Sequence, residues 1–283
     1  MQHVRRRFAA YVLFALVGSA SAGTPVLVGV EEDTGDFYAI STSDASIQLI
    51  GQSGIQNLGA LEFNPSDGSY YGFTTGAQAA LYRFEIPASL DSVTPSLVGS
   101  LGLGFVFEGA LAFGPDGTAY AMNGGVTLPA LLTLNLGTGQ ATVVNVMADR
   151  HDIAGLGWRS DGALVGLDST ANGLLTINPA NAGVALIDDI TPHIGAVGGM
   201  ALLDEIGYFV TGGPLAVNPD PGSNELYSFN PATGEHFLIG SFEDLILGSG
   251  FSGLSVVPEP ATLGVLLLAG LGLVRRRARA RSH

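Results

Sequence analysis

Six residues carry the side chains from which an active site could be assembled: Asn57, Glu108, His151, Asp152, His193 and Ser252. Each lies just before, or at the start of, a short run of small and apolar residues. Two imidazoles, two carboxylates, an amide and a hydroxyl could hold a divalent cation, or could perform acid–base hydrolysis or elimination on a lactone or a saccharide. Of these, Glu108, His151, Asp152 and His193 are the candidate catalytic residues. Their spacing is not diagnostic of either chemistry, and the plainer reading makes them ordinary polar residues of loops. Other chemistries are excluded outright. The chain has no cysteine, which removes thiol nucleophiles, thiolate metal sites and redox pairs. It has no lysine, no Gly-x-Ser-x-Gly elbow and no His-Glu-x-x-His segment, so phosphate loops, hydrolase elbows and zincin helices are absent too.

These residues matter only if something gathers them, and a repeat supplies the means. Gly59-Ala60-Leu61-Glu62-Phe63-Asn64-Pro65-Ser66-Asp67-Gly68 is echoed by Gly109-Ala110-Leu111-Ala112-Phe113-Gly114-Pro115-Asp116-Gly117 and by Ala154-Gly155-Leu156-Gly157-Trp158-Arg159-Ser160-Asp161-Gly162. A weaker copy starts at Gly198-Gly199-Met200, and a truncated one is Ser252-Gly253-Leu254-Ser255-Val256-Val257. Each opener leads into a short strand, such as Tyr70–Phe73 or Ala119–Met122, and then into a hairpin built on Leu131–Asn135, Leu174–Asn178 or Leu226–Asn230. A period of roughly 45 to 54 residues with four strands per unit is that of a propeller blade.

The last opener has no unit behind it, and the first three strands, around Leu27–Val30, Phe37–Ile40 and Ile47–Gly51, have no opener in front. The chain end therefore completes the blade begun by the chain start. The expected fold is all-β, a five-bladed propeller of four-stranded blades closed by its terminal strands, over residues 23–257. A β-sandwich or two smaller β domains is the alternative. Glycines of the openers let neighbouring backbones approach around the axis, and Asp67-Gly68, Asp116-Gly117 and Asp161-Gly162 read as tight turns rather than calcium loops. Trp158 occupies the place of Phe63 and Phe113 and reads as core. Tyr70, Tyr71, Tyr82, Tyr120 and Tyr227 read as packing residues.

Charge and the chain ends speak of location. Between residues 23 and 257 lie 24 acidic and three basic side chains, a formal charge of −21, so nucleic acid is not an expected partner. Residues 1–22 run from Arg5-Arg6-Arg7 through an apolar stretch to an Ala20-x-Ala22 pattern, the form of a signal peptide cleaved after Ala22. Residues 258–283 combine Pro258-Glu259-Pro260, an uncharged run from Leu263 to Val274 expected as a transmembrane helix, and the cluster Arg275-Arg276-Arg277. That run, about 21 Å as a helix, is short for a permanent anchor.

The three-part C-terminal segment resembles the PEP-CTERM sorting signal. The resemblance implies processing by an exosortase in a Gram-negative bacterium that makes exopolysaccharide, with Pro258, Glu259 and Pro260 as the recognised motif and Arg275–Arg277 as the retention cluster. The expected protein is thus exported to the cell surface or biofilm matrix as a non-enzymatic binding or structural module, with exopolysaccharide as a matrix partner. A secreted hydrolase or lyase is the alternative. No cofactor is expected beyond a divalent cation at the channel mouth.

Overall fold

Strands in this chain grade from apolar to amphipathic according to their distance from a common axis, and that gradient explains the architecture. The computed structural model describes residues 26–124, 129–169, 173–190, 196–212, 224–242 and 250–257. Strands β1 (Val26–Glu31), β2 (Asp36–Ser41) and β3 (Ile47–Gln52) come first. They are followed by β4 (Glu62–Asn64), β5 (Ser69–Phe73), β6 (Ala80–Glu85) and β7 (Thr94–Ser100), then by β8 (Glu108–Phe113), β9 (Ala119–Gly124), β10 (Ala130–Leu134) and β11 (Ala141–Val146). The remaining strands are β12 (Ile153–Trp158), β13 (Leu164–Asp168), β14 (Gly173–Ile177), β15 (Val184–Asp189), β16 (Ala196–Leu203), β17 (Ile206–Gly212), β18 (Glu225–Phe229), β19 (His236–Ser241) and β20 (Phe251–Val256).

They form five antiparallel four-stranded sheets, β4–β7, β8–β11, β12–β15, β16–β19 and a sheet ordered β20-β1-β2-β3. The fold is a five-bladed β-propeller. In the last sheet, Leu27 pairs with Val256 and Gly29 with Leu254, and the Val257 N–H donates to Val26 O at 3.0 Å. The two chain ends close the ring as the repeat pattern predicts, and no sandwich or second β unit is formed by the described residues.

Second strands such as β5 and β13 are buried at every position, because each faces a neighbouring blade on both sides. Outermost strands such as β11 and β15 are largely exposed. The core is accordingly divided into five apolar clusters, one at each blade–blade interface. Between the third and fourth blades, for example, Val165, Leu167 and Leu174 meet Met200, Phe209 and Phe229.

Innermost strands lie so close that side chains are excluded. A Cβ on Gly253 would fall 2.6 Å from Leu61 N, one on Gly199 2.9 Å from Leu254 N, and one on Gly155 2.4 Å from Met200 Cβ. Turn glycines have a different cause. Gly68, Gly117 and Gly162 have φ of +74°, +82° and +85°, and the aspartate before each accepts a backbone N–H two residues on, at 3.0 to 3.1 Å. These aspartates are turn-formers, as expected.

Each outermost strand also carries a β-bulge at an equivalent place, between Phe37 and Tyr38, Leu81 and Tyr82, Leu131 and Leu132, Leu174 and Leu175, and Leu226 and Tyr227 on the partner strand. The sheet edges are thereby twisted away from regular pairing with other chains. Residues 1–22, the 258–283 segment and His193 lie outside the described residues. Among the described residues no helix is long and apolar enough to cross a membrane.

Candidate functional site

All five innermost strands run the same way along the axis, so their first residues meet at one mouth of the channel and their last residues at the other. Glu108 is the first residue of β8, and Asp152 immediately precedes β12. Glu32 follows β1 beside the start of β20, where its N–H donates to Gly250 O at 3.4 Å. Asn57 sits next to it, donating its N–H to Glu32 O at 2.7 Å. Four of the six residues singled out from sequence, Asn57, Glu108, His151 and Asp152, therefore belong to one mouth, joined by Glu32.

The centre of this mouth is a buried carboxylate. Asp168 closes β13 with its side chain fully shielded, and its Oδ2 accepts His151 Nδ1–H at 2.6 Å while its Oδ1 accepts the Asp152 N–H at 3.1 Å. With Nδ1 carrying the proton, the imidazole's lone pair is on Nε2, which is buried and has no partner among the described residues. The next residue fixes the neighbouring acid: Ser169 donates its N–H to Asp152 O at 2.8 Å and its hydroxyl to Asp152 Oδ2 at 3.0 Å. Asp152 Oδ1 is buried and receives no N–H or hydroxyl from the described residues, which leaves it to the carboxyl of Glu108.

Glu108 faces this carboxylate. Burial raises its pKa to about 7, and the adjacent Asp152 charge, a carboxyl–carboxyl hydrogen bond and the more distant Glu32 charge act in the same direction. Glu32 is raised as well, first by burial and then by Asp33. A carboxyl near half-protonation beside a second carboxyl, with an oriented imidazole next to them, is a set that can give and take a proton near neutral pH.

Two of these residues also carry structural contacts. Asn57 sits at φ 57°, a left-handed conformation that asparagine tolerates, and ties Glu32 to Thr75 through its main chain. Ser252 is a brace, its hydroxyl donating to Leu58 O and to Val30 O (3.4 Å), so it joins the closing strand to the next blade. His151 is not a simple loop histidine either, because Asp168 fixes its ring. Among the described residues no three His, Asp or Glu side chains converge as metal ligands. The sequence reading missed Asp168, Ser169 and Glu32. The signal for Asp168 was a lone charge ending the apolar run Leu164-Val165-Gly166-Leu167.

Trp158 departs from its expected role too. It packs against the cluster between the second and third blades and lies 5.5 Å from Tyr120, ring centre to ring centre, but it also lines an open cavity and is only half-buried. The reason is position: it ends β12 at the opposite mouth rather than in the blade interior. Tyr70 and Tyr71 are buried packing residues, while Tyr227 stacks on Phe209 at 5.0 Å.

Comparison with known proteins identifies the architecture and nothing narrower. No protein-family model matches the chain, and no curated protein matches it. Among solved structures, a chain of a nidogen/laminin complex is similar with a TM-score of 0.53 at 12% identity, over 83% of this chain and 98% of that one. A structural-genomics protein of unknown function from Bacteroides thetaiotaomicron gives a TM-score of 0.55 at 14% identity, over 77% of this chain and 56% of the other. At such identities the likeness is one of fold.

Proposed function

We propose that this protein is exported, processed by signal peptidase and an exosortase, and displayed at the cell surface or in the exopolysaccharide matrix of a Gram-negative bacterium as a propeller that binds its ligand at the acidic mouth. The observation that carries the reading is the meeting of fold and address. The last hydrogen bond of the closing blade is made by Val257, and the Pro258-Glu259-Pro260 motif begins at the next residue. The motif thus follows the closing strand directly in sequence, the order in which a domain followed by a sorting signal would be written. The test is the intact mass of the protein recovered from cell envelope and from medium. A chain from Gly23 to about residue 260 is expected; a chain retaining Arg275–Arg277 through His283 in both fractions would overturn the sorting reading.

A second reading is favoured by the His151–Asp168 pair, which is more elaborate than a binding surface requires. In it the protein is a hydrolase or lyase acting on a lactone or saccharide. Glu108 in its protonated form gives a proton to the leaving oxygen and in its ionised form takes one from water or from the substrate carbon, while the buried His151–Asp168 pair holds the loop that carries Asp152. Turnover of a lactone panel by the full chain, lowered by His151→Ala and reduced at least about a hundredfold by Glu108→Gln, would establish this reading. No turnover, with ligand binding intact, would leave the first.

A further inference from the structure

We propose that the opposite mouth of the channel is a second ligand site and that it takes a small organic cation. Each innermost strand delivers one apolar side chain to this mouth: Phe63, Phe113, Trp158, Leu202 and Val256, all half-buried. Together they line a cavity of about 320 Å3. One residue further in, the five strands place Glu62, Ala112, Gly157, Ala201 and Ser255. Four of these are small and one is an acid, so the carboxyl is not required by the geometry of the ring.

Glu62 is held without a cationic partner. Its Oε1 accepts the Phe63 N–H at 3.0 Å and the Ser255 hydroxyl at 3.1 Å, while Oε2 has no hydrogen-bond partner among the described residues and the residue lines the cavity. No arginine among the described residues pairs with it. Burial raises its carboxyl to about 8, against the lowering effect of those two hydrogen bonds. The ionisable neighbour that feels its charge is Tyr70 on β5, and beyond the rim Arg159 is paired with Asp161 while Glu205 accepts from Ser160.

A cation supplies what this site lacks. It would meet a carboxylate in a poorly solvated setting together with three aromatic side chains, both of which favour positive charge. An anion would meet the −21 field of residues 23–257 and the acid itself. A neutral ligand would leave Glu62 protonated, and this difference makes the proposal testable.

Trp158 is the single tryptophan of the chain, so intrinsic fluorescence reports on this mouth. The full chain is titrated with benzyltrimethylammonium, whose charge does not change with pH, and in parallel with benzyl alcohol. We expect a saturable change with the cation only. Binding should be about ten times tighter at pH 9 than at pH 7, because a carboxyl with a pKa of about 8 passes from roughly one-tenth to nine-tenths ionised. Glu62→Gln keeps the size and neutral form of the side chain and should stay folded, as its thermal melt will check, while losing both the cation response and its pH dependence. Absence of a saturable response in the wild-type chain, an equal response in the folded Glu62→Gln chain, or equal affinity for benzyl alcohol overturns the proposal.

Discussion

Asp168 ends a strand whose every side chain is buried, and it satisfies two donors from the same loop, the His151 ring and the Asp152 backbone. Replacing it with alanine strands both donors in a shielded place. We expect Asp168→Ala to lose about 2–4 kcal/mol in denaturant unfolding, more than a surface acid would cost. Glu108 carries the opposite sign. Its pKa lies above the ordinary carboxylate value, so from about pH 4.5 to about 7 the folded chain holds a proton that the unfolded chain has lost, and stability falls as pH rises through that window. Glu108→Gln removes this slope: its melting temperature should match the wild type near pH 4 and exceed it by a few degrees at pH 8. At this scale Glu108, His151 and Asp152 were legible in sequence because they precede recognisable openers. Asp168 was not, because the contact it makes runs across a hairpin whose register no single sequence displays.

Elements depend on two kinds of glycine, and substitutions should separate them. At Gly253 the obstacle is the neighbouring blade, with Leu61 N, Leu61 Cβ and Ala60 C all within 3.0 Å of an added Cβ. At Gly68 nothing lies within 4 Å and the obstacle is the positive φ alone. Gly253→Ala is expected to cost about 2–3 kcal/mol and Gly68→Ala about 1 kcal/mol, read from chemical unfolding of each variant. Openers and Asp-Gly turns stood out in the sequence because both reasons force a residue type. The rim was harder to read. Leu49, Leu97, Val143, Leu186 and Leu238 are about half exposed or more, each immediately before the residue that bulges out of register. Apolar residues at such places invite an interior reading, and the bulge beside them is a backbone event that leaves no fixed residue type behind. The opener at Gly59 differs as well, since only Glu62–Asn64 form regular strand there, with Leu58 bridging Thr74 separately.

For the whole molecule, closure is the decisive contact: β20 pairs with β1 across nearly the entire chain. Removing residues 251–283 leaves β1 with an unpaired apolar edge, and Phe251 and Leu254 vanish from the cluster they share with Leu27 and Val210. We expect that truncation to abolish the cooperative thermal transition and to aggregate, whereas ending the chain at Val257 should preserve it, because all twenty strands are retained. Circular dichroism melts of the two truncated chains decide between these outcomes. The closed ring could be read from sequence because an orphan opener at one end and an opener-less unit at the other have one joint solution.

The same closure gives the molecule a front and a back. Val26 and Val257 are hydrogen-bonded neighbours, so the backbone enters and leaves the propeller at a single point, beside Val256 on the rim of the Trp158 cavity. Both ends of the described chain therefore share the side of the aromatic mouth. The mouth bearing Glu32, Glu108, His151 and Asp152 occupies the opposite face of the ring, clear of both of them.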